Sequence, residues 1–426
     1  MRLNSYLFHV AFVGIFFLPY IGNTQFRVDQ IVGALALVVL AVTVSRAPLK
    51  GVGRDFVQLW LWSVLILAWA MLVTFASPGP LLTGLKLTNT FSYFAEGTAI
   101  FLIFRRKLTD EAEIFFDVLL GFSLIVNFIA IYTWFDNTSD FAKAVVEYYG
   151  GAKSAAYGEF GSIGGESLAA QRICSLFPHS QALAVFNLLI YSLSFARISG
   201  SPSYWRKGFS FFAMLAALTG GLMTASKTFF LALGLILAMQ FGIALYQFIR
   251  RSRLSLPVFA SAGAFAIGVA FLFQYSRFIQ DHVHLFTQGG IFTILGPRFG
   301  AQGYLVTSGT LKAMVQPVNF FFGMGRVVDQ YSWSDNGFIQ VLTFGGIFFF
   351  LFFYLYIGKL LQLFWRYHDS HYQQMLLLFY IALVFSNIGT FIFLFPRTAL
   401  LTTVVVAIVL SLGIKAREET ADARHT

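Results

Sequence analysis

The chain has 426 residues, of which 58% are hydrophobic and only 11% charged, against the roughly 25% charged residues of an ordinary soluble domain. That balance excludes a soluble enzyme and predicts an all-α polytopic membrane protein, with residues 1–426 forming a single membrane domain. The formal net charge of +10 would suggest nucleic acid as a partner of a soluble protein, but here the charge has first to be sorted by side of the membrane.

A transmembrane helix needs about 20 mostly apolar residues, and reading for that length predicts about 12 such helices. In chain order the runs fall at 5–22, 28–45, 55–76, 86–104, 112–134, 180–196, 207–225, 228–249, 257–275, 337–361, 372–395 and 397–414. Segments such as "GFIQVLTFGGIFFFLFFYLYIG" are apolar on all sides, whereas the strands of a membrane barrel alternate apolar and polar positions. The first run ends in "PYIGNTQF" without a small-residue cleavage site, so it is expected to stay as the first helix. If connections alternate sides, the internal ones are "SRAPLKGVGRD", "RRKLTDE", "ARISGSPSYWRK", "RRSR" and "GKLLQLFWRYH". With the two termini these hold most of the 29 Lys and Arg, as the positive-inside rule requires. Both termini are therefore expected to be cytoplasmic, the charge is mainly topological, and nucleic acid is not an expected partner. The single cysteine, Cys174, excludes an intrachain disulfide and a Cys-based zinc cluster.

Two external connections are long, 135–179 and 276–336, and loops of that length usually have a function. The first begins with an amphipathic stretch, turns rich in Gly and Ser, and ends on Arg172 and His179. The second carries Arg277, Arg298, Lys312, Arg326 and Asp335. External cations run against the topological bias, so each needs its own reason. Lys227 lies in "TASKTFFLALGLIL", a break of a few residues between apolar runs. Either its ammonium snorkels to the head groups or it lines an external cavity and meets an anionic substrate. Arg172, Arg298 and Arg326 have ordinary alternatives in salt bridges and phospholipid contacts, yet with Lys227 they can surround one site. The planar fork of arginine suits phosphate in particular.

Other signals are weaker. "GGAKS" (150–154) lacks the Gly-Lys pair of a phosphate loop. "DHVH" (281–284) and "HDSH" (368–371) lack a zincin spacing. "NTS" (137–139) is a sequon of a kind that arises by chance.

The order of three stretches resembles the bacterial O-antigen polymerase and ligase superfamily. "QRICSLFPHSQALAVF" (171–186) is similar to the family's Arg-x-x-x-x-Phe-x-(His/Asn)-x-x-x-Leu-Ala pattern entering a helix, although here Pro178 precedes His179. "TASKTFFLALGLIL" resembles its Ser-Arg helix start, with Lys227 in place of arginine. The stretch 297–347 resembles its long external loop: Arg298 early, a Pro-to-Gly-x-Gly turn from Pro317 to Gly325, then Asp335-Asn336-Gly337-Phe338 opening a helix. The resemblance covers residues 170 to 350, and the other helices support it only by hydropathy. Ligases of the superfamily generally have His-Asn where this chain has Asp335-Asn336, a departure that favours a polysaccharide polymerase over a ligase.

The resemblance implies a membrane-embedded, inverting, metal-independent glycosyltransferase at the periplasmic face of the bacterial inner membrane, with two large periplasmic loops. It implies undecaprenyl-pyrophosphate-linked glycans as donor and acceptor, membrane lipids and a chain-length regulator as partners, and no cofactor, since the lipid pyrophosphate already activates the sugar. Arg172, Lys227 and Arg298 are the candidates for binding the pyrophosphate and stabilising its developing charge. Asp335 is the first candidate base and His179 the second; Glu159 and Glu166 stay open. Asp335 has an alternative reading as a helix N-cap, compatible with the first because a capping carboxylate is held in place. The rival from another class is a flippase for the same lipid-linked sugars, which would have short loops and charges deep within several helices.

Overall fold

Each apolar run closes into a helix because lipid offers its backbone no other hydrogen-bond partner. The computed structural model describes residues 2–19, 27–46, 54–77, 81–149, 165, 172–251, 256–275, 280, 314–325, 337–368, 370–387 and 396–422. Among them are 14 helices and no sheet. Twelve coincide with the expected runs: α1 (Arg2–Ile15), α2 (Val28–Arg46), α3 (Arg54–Ala76), α4 (Leu81–Asp110), α5 (Ala112–Phe135), α7 (Ser180–Gly200), α8 (Tyr204–Met223), α9 (Lys227–Arg251), α10 (Leu256–Tyr275), α12 (Gly337–Arg366), α13 (His371–Ser386) and α14 (Pro396–Asp422). The other two, α6 (Asp140–Tyr149) and α11 (Pro317–Phe322), fall in the long connections. On α6, the amphipathic stretch of the first connection, Ala142 and Val145 are buried.

Six helices, α3, α5, α7, α9, α12 and α14, are long and apolar enough to cross a membrane, which makes the chain a multi-pass membrane protein. α1, α2, α10 and α13 are apolar over shorter stretches. α4 is more polar, since it holds Glu96 and Arg105, Arg106 and Lys107 lie near its end, and α8 opens on Arg206 and Lys207 before its apolar stretch begins.

α7 runs through the middle, its residues buried almost without interruption from Ser180 to Arg197. It packs against α8, α9, α13 and α14. Close packing between such helices needs small residues, since lipid tails are as apolar as Leu and give no hydrophobic drive. Gly220 of α8 meets this need: a Cβ there would run into the Asn127 side chain of α5.

Acid–base pairs fasten one end of the bundle. Buried Arg197 at the end of α7 bonds Glu113 at 2.9 Å and Asp117 at 2.6 Å at the start of α5, and Arg206 of α8 joins the same carboxylates at 3.2 and 3.6 Å. Asp55, opening α3, meets Lys359 and Arg366 of α12 at 3.6 and 3.3 Å. His9 of α1 lies 2.9 Å from Glu111, and Lys415 of α14 lies 3.2 Å from Asp110 of α4. The starts of α1, α3, α5 and α8 and the ends of α4, α7, α12 and α14 thus lie at this end. The ends of α5 and α10 and the starts of α7 and α12, between which the two long connections run, belong to the other.

The run 337–361, expected as one uninterrupted helix, is broken. In α12 Gly346 has φ +72° and ψ −172°, a backbone open essentially to glycine alone. Gly323, just after α11, has φ +81° and lies against this break, so that a Cβ on either glycine would press into the other's neighbouring backbone. Met324 N–H donates to the Thr343 carbonyl at 2.8 Å and Trp69 Nε1–H to the Gly345 carbonyl at 3.0 Å. The turn from Pro317 to Gly325 is thus packed into a helix interruption, where the α12 carbonyls of Thr343 and Gly345 find protein donors in place of water.

Candidate functional site

The segment 172–179 is a turn pinned from three sides at the end of the bundle opposite the acid–base pairs. Its core is a backbone bond from Phe177 N–H to the Cys174 carbonyl, 3.1 Å, with Ser175 at φ +49°. Ile173 N–H donates to the Met223 carbonyl at the end of α8, 3.3 Å, and the Ser175 hydroxyl donates to the Val126 carbonyl of α5, 2.7 Å. From the third side, Arg397 in the first turn of α14 donates to the Leu176 carbonyl through Nη1 and to the Leu18 carbonyl through Nη2 at 2.7 Å. Its guanidinium also lies over the rings of Tyr149 and Phe177, 5.5 and 5.9 Å from their centroids. Phe177 is fully buried against Phe17 and Phe186.

Two of the expected site residues flank this turn. Arg172 and His179 are both half-buried. His179 occupies the N-cap of α7 in an extended conformation without a side-chain capping bond. Burial first, and the charge of Arg172 second, push its pKa down to about 3. The imidazole is therefore neutral at neutral pH, and the same burial and the Arg172 charge oppose its taking up a proton, which counts against His179 as the base.

Lys227 reaches the same end by another route. α8 stops at a turn in which the Thr224 hydroxyl donates to the Gly221 carbonyl at 2.6 Å and Ala225 adopts φ +46°; Lys227 then opens α9, exposed. A cation on the first turn of a helix faces the positive end of the helix dipole, so helix stability does not explain it. The Ile173–Met223 bond brings this turn and the 172–179 segment together. Arg298 and Asp335 lie outside the described residues, as do Glu159, Glu166, Arg277, Lys312 and Arg326. α12 starts at Gly337, whose N–H donates to the Asn387 carbonyl at 2.7 Å.

Sequence reading missed two features of this half of the bundle. Arg397 is 1% exposed; its signal was that it is the single Lys or Arg between residues 367 and 414, directly before a long apolar run. The other is a buried polar cluster between α2 and α4. Arg27 and Asp29 form a bidentate pair at 2.9 and 3.0 Å, Gln30 donates to the Tyr93 hydroxyl at 2.7 Å, and the Ser92 hydroxyl donates to Glu96 at 2.6 Å. Glu96 lies against Gly33, where a Cβ would collide with its carboxyl group. Its signal was equally plain, as the single acid between residues 56 and 109.

Among the described residues no group of three or more His, Cys, Asp or Glu is placed to hold a metal ion. Compared with known proteins, the chain matches no family model, and no curated protein is similar to it.

Proposed function

We propose that the chain is a polysaccharide polymerase that joins undecaprenyl-pyrophosphate-linked repeat units at the periplasmic face of the bacterial inner membrane, for O-antigen, capsule or exopolysaccharide. In this reading all the helices except α6 and α11 span, both termini are cytoplasmic, and the end bearing the long connections is periplasmic. The observation that supports it most is the gathering at that end of Arg172, Lys227 and the buried Arg397 around one fixed turn. Preorganised cations of this kind stabilise a leaving pyrophosphate where charge develops.

The reaction displaces lipid pyrophosphate from the anomeric carbon of the growing chain. The acceptor hydroxyl attacks from the opposite face, a new glycosidic bond forms, the bond to the phosphate oxygen breaks, and the configuration inverts. The hydroxyl proton passes to Asp335, the first candidate base. Arg172, Lys227 and Arg298 hold the pyrophosphate. Purified protein given lipid-linked repeat units alone should make a ladder of polymer.

A second reading, a flippase for the same substrates, is favoured by one observation: the Arg27–Asp29 pair and Glu96 are buried among helices, and charges so placed mark transport pathways. Movement of lipid-linked units across vesicles without any ladder would decide for it. Transfer of finished polymer to lipid A core, without extension, would instead identify a ligase.

A further inference from the structure

We infer that α11 is a re-entrant segment, which dips from the second long connection into the membrane and presents Val318, Phe320, Phe321 and Phe322 to the acyl chains of the bilayer. The sequence carries a first sign of this. Residues 313–325, "AMVQPVNFFFGMG", hold no charge and lie between Lys312 and Arg326. An apolar run of about 10–14 residues is too short to cross a membrane but suits a segment that enters and returns.

The neighbours of α11 set its depth. α3 has 23 residues, about 34 Å at 1.5 Å per residue, against a hydrocarbon layer about 30 Å thick. A crossing α3 has to stay helical throughout that layer, because lipid offers a backbone no other hydrogen-bond partner. It therefore overhangs the layer by at most about 4 Å. Trp69 lies seven residues before the end of α3 at Ala76, about 10 Å along the axis, which puts it about 6 Å or more inside the hydrocarbon. The Phe322 ring stacks on the Trp69 ring, with centroids 5.8 Å and planes 11° apart, and Phe321 stacks on Phe348 of α12 at 5.7 Å. Gly325 lies against Val73 and Ser77, where α3 ends. The segment thus descends from the level of Ser77 to that of Trp69, about two helical turns deeper.

What α11 exposes fits that depth. Irregular backbone inside the hydrocarbon has to be enclosed by protein, whereas a helical turn can face lipid. The non-helical Met324 and Gly325 are buried, and Met324 N–H is bonded to the Thr343 carbonyl. In the helical part Val318 is 70% exposed and Phe320, Phe321 and Phe322 are exposed as well. These side chains adjoin the exposed Leu72 and Phe75 of α3 and Phe348 and Leu351 of α12, so α11 continues the apolar outer surface of two membrane helices.

The test places a nitroxide label on Val318→Cys or Phe320→Cys, each combined with Cys174→Ala so that the chain has one thiol. The full-length protein is held in vesicles of phosphatidylcholine and phosphatidylglycerol. Leu355→Cys, exposed on α12, is the reference for lipid contact, and Tyr204→Cys, exposed at the start of α8, the reference for water. Collisions with oxygen, which concentrates in hydrocarbon, should match those at Leu355, and collisions with a water-soluble nickel chelate should fall to the Leu355 level. Chelate collisions at the Tyr204 level would put α11 in water. Low collisions with both reagents would mean that protein, such as the remainder of the connection, covers it. Either result would overturn the inference, and the second labelled position carries the test if one substitution prevents folding. None of these readouts depends on whether the protein extends polysaccharide.

Discussion

Arg397→Met replaces the side chain that pins the 172–179 turn by an uncharged one of comparable length. Two carbonyls, Leu176 and Leu18, lose their donor, and a buried acceptor left unsatisfied costs about 1–3 kcal/mol. Contacts with the faces of Tyr149 and Phe177 are lost as well. Relief of the cost of burying a guanidinium offsets part of this, and we expect a net loss of about 1–3 kcal/mol in the local stability of the turn. Cys174 gives a direct readout, being the single cysteine of the chain, 5% exposed, and two residues from Leu176. Local opening exposes its thiol, so maleimide labelling of the variant should run about 5- to 150-fold faster at that free-energy difference. Chain extension should fall together with the turn. Labelling at the wild-type rate with full-length polymer would refute the anchoring role of Arg397.

Arg172→Ala, Lys227→Ala and Arg298→Ala should each abolish chain extension at normal protein level; wild-type polymer from all three would remove them from the site. Asp335→Asn keeps a capping acceptor and loses the charge, so full activity in that variant would leave only the capping role. The depressed pKa of His179 makes stability depend on pH: below about 6.5 the unfolded chain takes up a proton that the folded one refuses down to about 3, so stability falls on acidification across that window. His179→Asn should flatten this part of a melting profile, and an unchanged slope would contradict the neutral imidazole. Gly346→Ala forces a β-carbon into a glycine-only conformation and against the backbone of α11; a loss of about 1–3 kcal/mol is expected, seen as a lower melting temperature in detergent. A melt identical to wild type would mean that the break in α12 closes without difficulty.

The helices were legible because their cause is local. A run of about 20 apolar residues closes its own hydrogen bonds in lipid whatever surrounds it, and each of the twelve runs holds a helix, although the first ends at Ile15 and the seventh at Met223, short of the expected bounds. The break at Gly346 was not legible, because nothing within "LTFGGIFF" requires it. It exists because Gly323, 23 positions earlier in the chain, brings a second glycine backbone against it.

The same division holds for the site. Sequence by itself selected Arg172, His179 and Lys227 as polar groups out of place beside apolar runs, and the structure puts them at one end of the bundle. It could not rank Arg397, whose carbonyl partners lie 221 and 379 residues away, or gather Arg27 and Glu96 into one cluster tied by the Gln30–Tyr93 bond across 63 residues, and a lone charge in a greasy run looks the same whether buried or exposed. Composition and hydropathy determine that the chain is a multi-pass helical membrane protein, because burial of apolar side chains in lipid is additive along the sequence. Which charges are buried, what holds them and which turn they surround are decided only when distant helices pack, because the strength of a charge depends on the groups that replace its water.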